Sequence, residues 1–223
     1  MQRIAVALAL TSAAFASIAH AEVKEAKADS FFIVFSDTVA ASAMKTYTDV
    51  TQVQRWWSSD HTWSGKASNL SLKPEAGGCF CEKWKDGSVE HGRVIMAMPG
   101  KLLRLDTSLG PLQERALTGV LNFWVKNEDS TTTLTVEYRV NGASGSGLDQ
   151  LAPSVEEVLG AQVDRLRRYI ATGNPEPPAP ADAQAAAKTD TGSAAAADAK
   201  TPAKPKAAKP KPKAPDPAAA PAR

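Results

Sequence analysis

The sequence predicts an α+β domain in which a curved antiparallel sheet of about seven strands wraps a long C-terminal helix, with two short helices after the first strand. Three observations point there. Short β-branched and aromatic runs bounded by Gly, Pro, Asp or Asn succeed one another between residues 69 and 140. A single apolar stripe of helical period lies between residues 154 and 170. In Thr131–Val140, Leu134, Val136, Tyr138 and Val140 share one face while Thr133, Thr135, Glu137 and Arg139 share the other, so one side of the sheet is wet and the terminal helix must cover the dry side.

Each element has its own signal. Met1-Gln2-Arg3, the apolar run from Ile4 to Ile18 and the small-residue triplet Ala19-His20-Ala21 read as a secretory leader over residues 1–21, cut after Ala21. The run is Ala-rich and shorter than the roughly 20 strongly apolar residues of a membrane span, so no transmembrane segment is expected after cleavage, and the mature chain is expected in a periplasm or secreted. Ser30 to Ser36 reads as a buried strand ended by Asp37. Thr38 to Asp49, with Ala40, Met44 and Tyr47 at helical spacing, and Val50 to Ser58, with Val53, Trp56 and Trp57, read as the two short helices. Six antiparallel strands follow: Asn69–Leu72, Cys79–Lys85, Ser88–Met98, Leu102–Thr107, Leu117–Lys126 and Thr131–Val140. Ser154 is the expected N-cap of the last helix, Glu156 and Glu157 sit in its first turn, and Val155, Val158, Leu159, Val163, Leu166 and Ile170 form its stripe until Gly173 ends it.

Composition separates this folding unit, residues 22–172, from the C-terminal segment. Residues 173–223 hold 19 Ala and 11 of the 15 Pro but no Val, Ile, Leu, Met or aromatic residue. Such a segment cannot offset about 1–2 kcal/mol per residue of ordering entropy, and a disordered Ala/Pro/Lys-rich tail is expected. The chain's net charge of +2 divides into +1 for the leader, +3 for the tail and −2 for the domain. A near-neutral domain of about 150 residues excludes a large multi-domain enzyme and gives no basis for a specific nucleic-acid partner. The tail's Lys204–Lys213 stretch is a candidate for weak contact with anionic envelope polymers.

The element order, together with Trp56-Trp57, Gly77-Gly78-Cys79-Phe80-Cys81-Glu82, Asp86-Gly87-Ser88-Val89-Glu90-His91-Gly92-Arg93-Val94, Pro99-Gly100-Lys101-Leu102-Leu103 and Thr131–Thr135, resembles the START-like, or SRPBCC, superfamily. The nearest likeness is to its polyketide-cyclase-like and heat-shock-ATPase-activator-like branch, over roughly Asp29 to Tyr169. The resemblance implies a helix-grip fold with a cavity between sheet and C-terminal helix. It does not imply one reaction, since the superfamily includes lipid carriers, hydrophobic-ligand binders, cyclases and co-chaperone domains. An exported protein would not meet the partner of a cytosolic co-chaperone.

The Asp86-Gly87 pair is a two-residue hairpin signal. It predicts that Lys85 pairs with Ser88, Trp84 with Val89, Lys83 with Glu90, Glu82 with His91, Cys81 with Gly92 and Phe80 with Arg93. Lys83 and Glu90 then form a pair on the wet face, while Glu82 and His91 fall on the dry face as a candidate acid/base pair or as the polar end of a pocket. Candidate ligand-binding residues are Trp57, His61, Trp63, Phe80, Trp84, Phe123 and Tyr138. His61, Glu82 and His91 would make a two-histidine, one-carboxylate set, but without a local spacing motif neither metal nor cofactor is assigned. Cys79 and Cys81 share one face of a strand, and three states stand open: an easily reduced C-x-C disulfide, a thiol pair for a soft metal, or two free thiols. The expected function is that of an exported binder of a small hydrophobic or amphipathic ligand. The alternatives are a cyclase- or hydratase-type enzyme using Glu82 and His91, and an envelope interaction module acting through the basic tail.

Overall fold

The computed structural model describes residues 20–128 and 130–178. The expected leader lies outside these residues except for His20 and Ala21, and the expected tail, with its Lys204–Lys213 stretch, lies outside them from residue 179 onward.

Eight strands form one antiparallel sheet, against which a long C-terminal helix packs. In chain order the strands are β1 (His20–Lys27), β2 (Ser30–Val39), β3 (Leu70–Leu72), β4 (Cys79–Trp84), β5 (Gly87–Met98), β6 (Leu102–Asp106), β7 (Thr118–Glu128) and β8 (Thr131–Asn141). Across the sheet they run β1-β2-β8-β7-β6-β5-β4-β3. Helices α1 (Ala43–Thr51) and α2 (Val53–Trp56) follow β2, and α3 (Leu148–Thr172) ends the domain. This α+β arrangement, a large antiparallel sheet with a C-terminal helix, is consistent with a helix grip. Among the described residues no helix is long and apolar enough to cross a membrane.

The core lies where period-2 and period-3.6 patterns meet. Phe31, Ile33 and Phe35 of β2 and Leu134, Val136, Tyr138 and Val140 of β8 are buried on one face, and Leu159, Val163, Leu166 and Ile170 of α3 close over them. Each such side chain contributes about 1.5–3 kcal/mol by leaving water. The helix comes close enough that a Cβ on Gly160 would stand 3.2 Å from the Phe35 ring.

Four expectations need correction. The sheet has one strand more than expected: β1 (HAEVKEAK) is half charged with Val23 its one branched apolar residue, so it carried no burial signal, yet it pairs with β2 along its length. Asp37 does not end β2, which continues to Val39. The side chain instead turns inward and its carboxylate meets Arg167 of α3 at 3.2 Å. The helical stretch therefore begins at Ala43, capped by the Ser42 hydroxyl accepting the Lys45 N–H, and Met44 is 55% exposed rather than on a core stripe. Helix α3 begins at Leu148, six residues before the expected N-cap Ser154. Pro153 lies in its second turn, where it gives the Asp149 carbonyl no N–H partner. Gly173 does end it, in the left-handed region at φ 76°, donating its N–H to the Tyr169 carbonyl at 2.8 Å.

Candidate functional site: a buried carboxylate–imidazole pair behind a cavity

The β4–β5 hairpin positions the site, and its register differs from the one expected. Trp84 pairs with Gly87, Lys83 with Ser88, Glu82 with Val89 and Cys81 with Glu90, so the connecting residues are Lys85 and Asp86. Neither has positive φ, so this is not the primed turn that Asp-Gly signals. Gly87 serves another purpose: a Cβ there would meet the Trp84 ring at 2.5 Å. The expected Lys83–Glu90 pair is absent, and the Glu90 carboxylate instead receives the Arg93 guanidinium at 2.9 Å.

A register two residues out keeps the side chains from Ser88 to His91 on their expected faces; a bulge then brings His91 to Glu82 and reverses the residues beyond it, so that Gly92 faces inward and Arg93, expected opposite Phe80, faces outward. Between Cys81↔Glu90 and Phe80↔Gly92 the partner strand has an extra residue, His91. The bulge aims His91 inward beside Glu82, bringing its Nε2 to 3.0 Å from the carboxylate. Gly92 completes it, because a Cβ at that position would lie 2.6 Å from the Thr107 Cβ and 2.8 Å from the Asp106 carbonyl oxygen.

Glu82 is fully buried and accepts three hydrogen bonds: from the Ser64 N–H at 2.6 Å, the Trp63 N–H at 3.1 Å and His91. Desolvation pushes its carboxyl upward, but the bonds from Ser64, Trp63 and His91 outweigh this and hold it below the usual carboxylate value. Burial pushes the His91 imidazole below its ordinary value, with Glu82 pulling the other way. Near neutral pH the pair is therefore an ionised carboxylate beside a neutral imidazole. A carboxylate only accepts, so the proton sits on Nε2 and Nδ1 is left as a lone-pair acceptor.

The His91 ring forms part of the wall of a cavity of about 470 Å³. Leu151, Val155, Val158 and Leu159 of α3 supply one side. Leu109, Pro111 and Leu112, in and beside the 3-10 turn Gly110–Arg115, supply another, and Trp57 and Trp63 a third. Asp60, His61, Thr62 and Arg115 bring polar groups to the wall. Gln162, almost fully buried, accepts the Ser58 N–H at 2.8 Å and ties α3 to the loop after α2. The tilted rings of Trp57, Phe80 and His91 follow one another at 5.7 and 5.0 Å, linking that loop to β5.

Of the expected ligand-binding residues, Trp57, His61 and Trp63 line this cavity, as does His91, while Glu82 stands behind His91. Four do not line it. Phe80 and Phe123 border a separate small void with Trp56 and Leu121. Trp84 packs over Gly87 at the hairpin end. Tyr138 is buried in the sheet, its hydroxyl accepting the Leu109 N–H at 3.0 Å and donating to the Thr107 carbonyl at 3.3 Å, and burial pushes its phenol up. Sequence reasoning missed the 109–115 wall, which has no periodic pattern. It also missed Gln162, whose place on the apolar stripe of α3 was a readable sign. His61 is not brought together with Glu82 and His91, and among the described residues no three His, Cys, Asp or Glu side chains converge as a metal site. Of the three states open to Cys79 and Cys81, the structure has the disulfide.

No family model matches the sequence, and no curated protein matches it. Solved structures do share the fold. A conserved protein of unknown function from Enterococcus faecalis, EF2215, aligns at TM-score 0.50 with 12% identity, over 74% of this chain and 84% of its own. CalU16 from Micromonospora echinospora aligns at 0.48 with 14% identity, over 72% and 88%. The Aha1 dimer from Colwellia psychrerythraea aligns at 0.42 with 13% identity, over 64% and 97%. At these identities the likeness concerns the fold alone.

Proposed function

We propose that the protein binds a small hydrophobic or amphipathic molecule in the cavity beneath α3, and that it does so after export and removal of residues 1–21. The observation that carries this reading is the cavity itself. Its volume of about 470 Å³ suits a compact organic ligand, and its wall is largely aliphatic and aromatic with a few polar groups. Binding then consists of apolar burial oriented by those groups. His91 Nδ1 accepts a hydrogen bond from a ligand hydroxyl or amide, and Glu82 holds the tautomer that keeps Nδ1 free to do so.

The same pair favours a second reading, a cyclase- or hydratase-type enzyme. A neutral imidazole oriented by a buried carboxylate has the base-and-orienter arrangement of general base catalysis: Nδ1 takes the proton and Glu82 stabilises the imidazolium that forms. Native mass spectrometry of the full chain, exported and purified without detergent, separates the readings. An organic mass released only on denaturation supports the binder. A bare polypeptide that turns over added substrate with a pH profile lost in His91→Gln supports the enzyme and overturns the binder.

A further inference from the structure

The Cys79–Cys81 disulfide takes no part in the cavity. Both residues are half-buried and share the face of β4 opposite to Phe80 and Glu82, which point into the core. The bridge closes a ring across a single intervening residue, a loop so short that it removes little entropy from the unfolded chain. It also ties a segment already fixed on both sides, since Cys81 pairs with Ser71 of β3 and Glu90 of β5, and Cys79 with Arg93 of β5. A crosslink with so little to add to the fold invites a chemical explanation.

Two residues apart in an extended strand, Cα atoms stand about 6.7 Å from each other. Cys79 and Cys81 stand 5.4 Å apart, closer than that. At that same point β5 carries its extra residue, His91. The contraction of one strand and the bulge of the other coincide.

We propose that Cys79 and Cys81 form a thiol–disulfide exchange site that accepts two electrons from a dithiol. One thiolate of the dithiol attacks a bridge sulfur, the S–S bond breaks, and the second bridge sulfur leaves as a thiolate and takes up a proton. The dithiol's other sulfur, as its thiolate, then attacks the mixed disulfide. The dithiol departs as its own disulfide, and the first bridge sulfur is released and protonated. Two cysteine thiols result, and the dithiol is the species oxidised. On this face Glu90 and Arg93 pair with each other, and Lys83 follows Cys81 by two residues on the same strand.

The test uses the full, folded chain. It is exposed to dithiothreitol, quenched in acid, alkylated with N-ethylmaleimide and weighed. Two adducts are expected to appear at least about tenfold faster than global unfolding in the same buffer, the separation expected of a bridge reached without unfolding. Cys81→Ser, with Cys79 left free, is expected to form a one-to-one mixed disulfide with glutathione while folded. The double variant Cys79→Ser/Cys81→Ser is expected to keep the parent's melting temperature to within about 3 °C. Bridge opening that only tracks unfolding, or a large loss of stability in the double variant, would overturn the proposal by showing a structural crosslink. Free thiols in protein recovered from an oxidising compartment would overturn it as well.

Discussion

Glu82 and His91 meet at 3.0 Å inside the wall of the cavity, and the same carboxylate takes the backbone N–H groups of Trp63 and Ser64 from the cavity's outer loop. One buried anion thus fixes both a β-bulge and a loop. Glu82→Gln puts an amide donor where three donors converge, leaving at least one buried N–H unpaired. The expected cost is about 2–3 kcal/mol, read as a lower urea midpoint with an unchanged m-value.

The pair also makes stability depend on pH with a definite sign. The folded pKa of His91 lies below 6.5, so the unfolded chain binds the proton more readily: this contribution is complete above 6.5 and is lost as pH falls toward the folded value. The folded pKa of Glu82 lies below 4.5, so its contribution is complete above 4.5 and is lost on further acidification through the folded value. Urea midpoints measured from pH 8 to pH 5 should fall in the parent, and His91→Gln should flatten that fall. An unchanged slope in the variant would remove His91 as its source.

Gly92→Ala tests the bulge. The added methyl meets the Thr107 side chain and a backbone carbonyl that cannot move aside, so a loss of about 2–3 kcal/mol is expected. The His91 imidazole resonances should shift as well, because the neighbouring bulge residue is displaced.

The cavity can be filled without disturbing the core. Val158 is 39% exposed on α3 and lines the cavity. Val158→Trp should weaken binding of the fluorescent probe 1-anilinonaphthalene-8-sulfonate by more than about tenfold while the melting temperature stays within about 3 °C. An unchanged affinity would place the probe elsewhere.

Tyr138→Phe removes the partner of the Leu109 N–H, where the 109–115 wall begins. A cost of about 1–2 kcal/mol is expected, with faster amide exchange at Leu109.

Much of this was legible in the sequence wherever a pattern repeats. The alternation of Thr131–Val140 predicts which face of β8 is buried, and the α3 stripe predicts Leu159, Val163, Leu166 and Ile170 at the core. Single residues misled where tertiary contacts override local preference. Asp37 read as a strand end and Ser154 as a helix cap, yet one is buried opposite Arg167 and the other is carried within a helix that starts at Leu148. Gly87 read as a turn residue because its need, room for the Trp84 ring, is invisible in one dimension. Glu82 and His91 came to the same face by parity alone, and the one mark of the bulge that joins them, Gly92 within the strand, was read as an ordinary strand position. The 109–115 wall is held by a hydrogen bond from a strand 29 residues later, which no local window contains.

The place of β1 at the rim of the sheet has a consequence for the order of events in the life of the chain. In the folded domain His20 and Ala21 pair with Ser36 and Phe35 of β2. A peptidase that cuts after Ala21 needs the backbone there extended and unoccupied. Removal of residues 1–21, as proposed above, must then come before that end of β1 docks. Maturation and the zipping of the sheet's outermost strand would compete for the same few peptide groups, and a chain that folded too early would keep its leader.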